Sequence, residues 1–138
     1  IEFRMDIGQR SNTILAHRLM WWTGVNHNYE VQSRLKEDLL NAYFTHGVNV
    51  GDAEELISIG VGSIPHDSDD LEFAEYLRAF FASDAGKGEV AEELATAISH
   101  GITGVPTYVI NGQWSIPGAQ DSETFERVLR RTAERMAT

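Results

Sequence analysis

Residues able to do chemistry are few in this chain, and they are scattered. Its 138 residues include no cysteine and five histidines, His17, His27, His46, His66 and His100. No pair of histidines has HxxxH or HExxH spacing, so no metal site is expected. The run "HDSDDLE" lacks the glycine and the spacing of a calcium loop, and reads as a helix start. Thr13 and His17 stand one helical turn apart on the same side. On their own, Asn12, Thr13 and His17 read as a helix cap and a histidine satisfied inside the core. The alternative is a polar stripe facing a cleft. Val105-Pro106 leads into "TYVI-NG-QWSI", and a trans proline opening an edge strand is the ordinary reading there.

The elements that must position these residues are mostly helical. A first helix is expected from about Asn12 to Thr23, with Ser11 or Asn12 as cap and Gly24 as stop. Its apolar residues cover most of its circumference, which predicts a buried helix. A second helix, from about Tyr29 to Phe44, presents Val31, Leu35, Leu39, Ala42 and Tyr43 and stops at "HG". Asp52 and Glu55 have capping-box spacing and open a short helix carrying Leu56 and Ile57. "GVGSIPHDS" reads as a break, with Pro65 ending whatever precedes it. A helix from about Asp69 to Ala82 follows, with Leu71, Phe73, Ala74, Leu77, Phe80 and Phe81 inside. Another spans about Glu89 to His100. The last begins near Asp121 or Ser122 with a stripe of Phe125, Val128, Leu129 and Met136.

Between the last two helices, two β-prone runs flank Asn111-Gly112, the favoured pair for a type I′ turn. A lone two-stranded hairpin is marginal in water, so it must pair with another strand or lie on helices. "IEFRMDI" is the remaining candidate strand, and a weak one.

Composition narrows the function classes. The net charge of −10 argues against nucleic acid as a partner. Arg127, Arg130, Arg131 and Arg135 alternate with Glu123, Glu126 and Glu134, as on a solvated helix face. No apolar run approaches the roughly 18 residues of a membrane span, and no signal peptide is evident. With cysteine also absent, a cytoplasmic location is expected. The chain begins "IEFRMDIG" without an initiator Met. A longer polypeptide was cut, or Ile1 to Arg4 is a cloning leftover ahead of Met5.

The segment "GITGVPTYVINGQWSIPGAQDSETFERVL" resembles the C-terminal half of DsbA-like thioredoxin-fold proteins, and its FrnE-type branch in particular. "SNTILAHRLMWW", "LKEDLLNAYFTHGVNVGDAEEL" and "FFASDAGKGEVAEELATAISHGITGVP" are similar to that branch in the same order. The resemblance implies an α+β, mostly α chain. Residues from about 9 to 100 match the family's helical insertion, and 101 to 138 match its closing ββα unit. It also implies that the strand-helix-strand half bearing the CxxC motif, roughly 80 to 90 residues, lies ahead of Ile1.

Several expectations follow from that likeness. Pro106 is expected cis, with Gly104, Val105 and Pro106 forming one wall of a substrate groove. Asn12, Thr13 and His17 face the cleft beside the thioredoxin half, and Gln120 lines it too. No catalytic residue is expected in the chain itself, which should be inactive alone. The parent would be a thiol-disulfide oxidoreductase acting on a thiol or disulfide protein or a small thiol, without a cofactor. The alternative is a glutathione-dependent enzyme resembling 2-hydroxychromene-2-carboxylate isomerase or kappa-class glutathione transferase. A further alternative is a non-catalytic helical module that pairs its hairpin edge with a partner or a dimer mate.

Overall fold

The computed structural model describes residues 1–7 and 10–136. It divides into two compact units, one ending at Glu93 and the other beginning at Leu94.

The first unit is built on α1 (Ile14–Asn26), α2 (Tyr29–His46), α3 (Ala53–Ser63) and α4 (Asp70–Ala82). Leu19, Leu35, Leu56 and Leu77, one from each helix, are completely buried at its centre, and Trp22, Ile57, Phe73 and Phe80 pack around them. Phe73, Leu77 and Phe80 recur at i, i+4 and i+7, so one face of α4 meets that core. Leu71, expected inside, lies on the opposite side of α4 and is exposed.

Helix α1 is not buried all round: Ile14 and Val25 are exposed while Ala16, Leu19, Trp22 and Thr23 are buried. Nor does it stop at Gly24. A Cβ at Gly24 would fall on the Gln32 side-chain amide, and that amide donates to the Met20 carbonyl at 2.9 Å. The glycine leaves room for that hydrogen bond instead of ending a helix. Gly60 also leaves room: α3 runs through "GVGS", and a Cβ at Gly60 would sit 2.8 Å from a methyl of buried Leu77. The true stop is Ile64, extended before Pro65.

Caps set the other boundaries. Asp52 accepts from the Glu54 and Glu55 amides, Asn28 from Val31, and Asp69 from Glu72. Gly47 closes α2 with φ of 67°, a left-handed conformation natural to glycine. "IEFRMDI" forms no strand. The Arg4 amide donates to the Phe44 carbonyl at 2.8 Å, the Glu2 backbone exchanges hydrogen bonds with the Thr45 hydroxyl, and the Phe3 ring packs at a tilt against Phe44. Helix α5 (Lys87–Ser99) begins within the first unit and continues into the second.

The second unit contains β1 (Thr107–Ile110), β2 (Trp114–Pro117) and α6 (Ser122–Met136). The strands pair antiparallel, with Tyr108 opposite Ile116 and Ile110 opposite Trp114. The turn holds three residues rather than two. Asn111 and Gly112 both have positive φ, and the Gln113 amide closes onto the Ile110 carbonyl at 3.1 Å. Pairing then resumes at Trp114, leaving Gln113 as an extra residue. This register places Tyr108, Ile110, Trp114 and Ile116 on one face and Thr107, Val109, Ser115 and Pro117 on the other. On the first face, Tyr108 meets Phe125 of α6 edge-on at 4.8 Å. The expected α6 stripe is covered only in part, because Leu129 and Met136 are exposed. On its outer side Arg130 pairs with Glu126, and Arg127 donates to the Thr124 hydroxyl.

Candidate functional site

In the second unit the chain leaves α5, passes a left-handed Gly101 and reaches the corner Gly104-Val105-Pro106, where the Val105-Pro106 peptide is cis. Two hydrogen bonds hold that corner. The Thr107 hydroxyl donates to the Gly104 carbonyl at 2.7 Å, and the Gly118 amide donates to the Pro106 carbonyl at 2.8 Å. Val105 between them is 93% exposed, and no hydrogen bond reaches its backbone from the described residues. Beside it is a depression of about 170 Å³, lined by Gly104, Val105 and Thr107 with Ser115 and Pro117 of β2. Gln120 does not line it; its amide donates to the Pro117 carbonyl at 2.8 Å. Among the described residues the sheet has two strands, so each strand keeps one edge without a neighbour.

The other sequence-derived residues are in the first unit. The N-cap of α1 is Thr13 rather than Ser11 or Asn12; Asn12 precedes it, its side-chain oxygen accepting from the Ile14 amide at 3.1 Å. Ser11 instead donates to Asn49. Thr13 and His17 are both exposed, which sets aside the reading of His17 as a core histidine. They stand at the margin of a groove of about 410 Å³ whose walls are mainly apolar: Ala16 and Met20 from α1, Leu39 and Leu40 from α2, and Val50.

Arg18, beside His17, carries a role that the sequence reading missed. It is 1% exposed, yet its guanidinium donates to the carbonyls of Phe80, Phe81, Ser83 and Ala85 at 2.8 to 3.3 Å, over the Phe80 ring. These oxygens lie at and just beyond the C-terminal end of α4, where carbonyls lack helical partners and a cation is favoured. The one available signal was an arginine at a position where the helix should be apolar. Buried charge is tolerable because the fork geometry satisfies it.

Displaced carboxylates belong to structure. Thr124's backbone amide holds Asp121 at the start of α6 below the usual aspartate range. Arg78 does the same to Glu54 through a two-point hydrogen bond joining α3 and α4. Among the described residues, no three of His, Cys, Asp and Glu converge to hold a metal ion, and no helix is long and apolar enough to cross a membrane. Each unit offers groups that bind and orient: the second a bare backbone corner and a free sheet edge, the first a hydroxyl and an imidazole. The chain holds no thiol.

The family model described as a DSBA-like thioredoxin domain matches residues 1–130. No curated protein matches the chain.

Proposed function

The chain belongs to the DSBA-like thioredoxin domain family, and from that premise we propose that it is the substrate-facing part of a FrnE-type thiol-disulfide oxidoreductase in the cytoplasm. The catalytic cysteines then lie outside these residues, which contain none. In this reading the segment from about 9 to 100 is the helical insertion and 101 to 138 the closing ββα unit. The missing strands of the thioredoxin half cover the open edge of the hairpin.

The chemistry is disulfide exchange. A thiolate attacks one sulfur of a substrate disulfide, the second sulfur leaves as thiolate, and a resolving cysteine displaces the mixed disulfide. No cofactor enters. This chain contributes binding: the Val105 backbone pairs with an extended substrate segment as an added strand would. Thr13 and His17 supply polar contacts to the same thiol or disulfide substrate. The single observation that carries the reading is the exposed, hydrogen-bond-free Val105 at the mouth of a two-stranded sheet.

The test compares two proteins in an insulin-reduction assay: the 138-residue chain, and the product of the full reading frame that encodes it. The full product is expected to carry a CxxC pair and to turn over, and the chain alone is expected to be silent. In the full product, Val105→Glu should raise KM for a protein disulfide while leaving a small disulfide unaffected. Turnover by the cysteine-free chain would defeat the proposal. So would a full reading frame with no cysteine pair, and a serine in its place would favour glutathione-dependent isomerase or transferase chemistry.

A further inference from the structure

The groove beside α1 and α2 belongs to the first unit and has a chemistry of its own. Its volume of about 410 Å³ falls within the roughly 300–1,000 Å³ range of small-molecule pockets. Ala16, Leu39 and Val50, each nearly buried, form apolar floor. The hydroxyl of Thr13, the ring of His17 and the ammonium of Lys36 supply the polar groups at its margin.

The charge around the groove is unlike the charge of the whole chain. The protein has 21 acidic residues and a net charge of −10, yet no Asp or Glu lines this groove. Lys36 makes no ion pair among the described residues. The positions at helical ion-pair distance from it are Gln32, Ser33, Leu39 and Leu40, none of which is acidic. An approaching anion is repelled by most of the surface and meets an uncompensated ammonium here, next to apolar walls.

We infer that this groove binds a small anionic amphiphile, an apolar chain or ring bearing a carboxylate. The apolar part lies over Ala16, Leu39 and Val50, and the carboxylate is held by Lys36 with Thr13 and His17 as neighbouring hydrogen-bonding groups. This site needs no thiol; it shares Thr13 and His17 with the disulfide-exchange reading but rests on Lys36 and the apolar floor, so either can fail without the other.

Isothermal titration of the chain with decanoate and with decyltrimethylammonium, both below their micelle concentrations, tests it. Decanoate should bind one per chain and at least tenfold more tightly than the cationic probe. Octanoate, shorter by two methylenes, should bind roughly fifteenfold more weakly than decanoate. Lys36→Glu, an exposed change that leaves the core intact, should weaken decanoate at least tenfold and leave the cationic probe no weaker. Ala16→Trp should block both probes; if that variant misfolds, Lys36→Glu still decides. Equal binding of the two probes, no saturable binding, or an unaffected Lys36→Glu variant would overturn the inference. Two results would assign the groove to another occupant and overturn it as well. One is a dimer in light scattering that Lys36→Glu or Leu40→Glu dissolves. The other is decanoate binding that disappears in the full reading-frame product.

Discussion

In the unit that ends at Glu93, four helices hide a leucine apiece completely, and buried aromatics fill the space between them. From Leu94 onward, among the described residues, Ile116 is the one buried apolar side chain, and Thr132 is buried with it. Leu94, Ile98, Val105, Tyr108, Val109 and Leu129 are all exposed there. Both stretches obey the same local rules of periodicity, capping and turn chemistry. They differ in what each face has opposite it. A helix bundle closes its own core, whereas a hairpin with one helix covers a single sheet face and leaves the other open. This difference is what the proposed thioredoxin half would remove.

The comparison breaks if the two regions respond alike to perturbation. Leu77→Ala removes a completely buried side chain from the closed unit and should cost about 2–5 kcal/mol. At about 4–8 °C per kcal/mol, thermal unfolding followed by circular dichroism should shift down by roughly 10 °C or more. A negligible shift would mean that the helical core is not what holds this unit.

Arg18→Met tests the closed unit at its buried cation. The variant leaves several carbonyls at the end of α4 without a donor, and an unmet buried polar group costs about 1–3 kcal/mol. Arg18→Lys should recover only part of the loss, since a lysine lacks the planar fork. Equal stability of Met and Lys variants would show that charge and geometry contribute little.

Val105→Glu sharpens the contrast from the open side. At 93% exposure, a surface change of this kind should move stability by no more than about 0.5 kcal/mol, whatever it does to substrate binding. A denaturant midpoint that shifts as far as that of Leu77→Ala would show a hidden partner for this corner.

The smallest effect concerns pH. Asp121 has a folded pKa below its unfolded value because its carboxylate accepts from the Thr124 amide. Its contribution is therefore present above the unfolded aspartate value of about 3.9, and it is lost as pH falls through the lower folded value. Hydrogen exchange of the Thr124 amide should become less protected across that interval. Asp121→Asn should remove this pH dependence, and persistence of the full effect in the variant would assign it to another group.

Much of the fold was legible from spacing. The Asp52 cap, the stop at Gly47, the start of α6 at Asp121 and the Asn111-Gly112 turn all depend on neighbours within a few residues. Gly24 and Gly60 misled for a physical reason: a glycine looks the same whether it ends a helix or leaves room for a side chain of a neighbouring one. The strand register was off by one because Asn-Gly predicts a two-residue loop, while Gln113 closes a longer one. Of the candidate site, the exposed corner at Val105 was legible as a proline-led hairpin entry. The groove was not, since it needs α1 and α2 side by side. Arg18 was missed because its partners are more than sixty residues away.

By itself, the sequence determined which segments coil, where the hairpin turns and which family pattern the chain carries, because these are written in short-range periodicity and turn chemistry. Tertiary structure alone decided that Leu71 and Leu129 stay in solvent, that His17 borders a groove and that Arg18 closes another helix. Burial and charge compensation depend on the surface that packs opposite a residue, and no run of neighbouring letters specifies that surface.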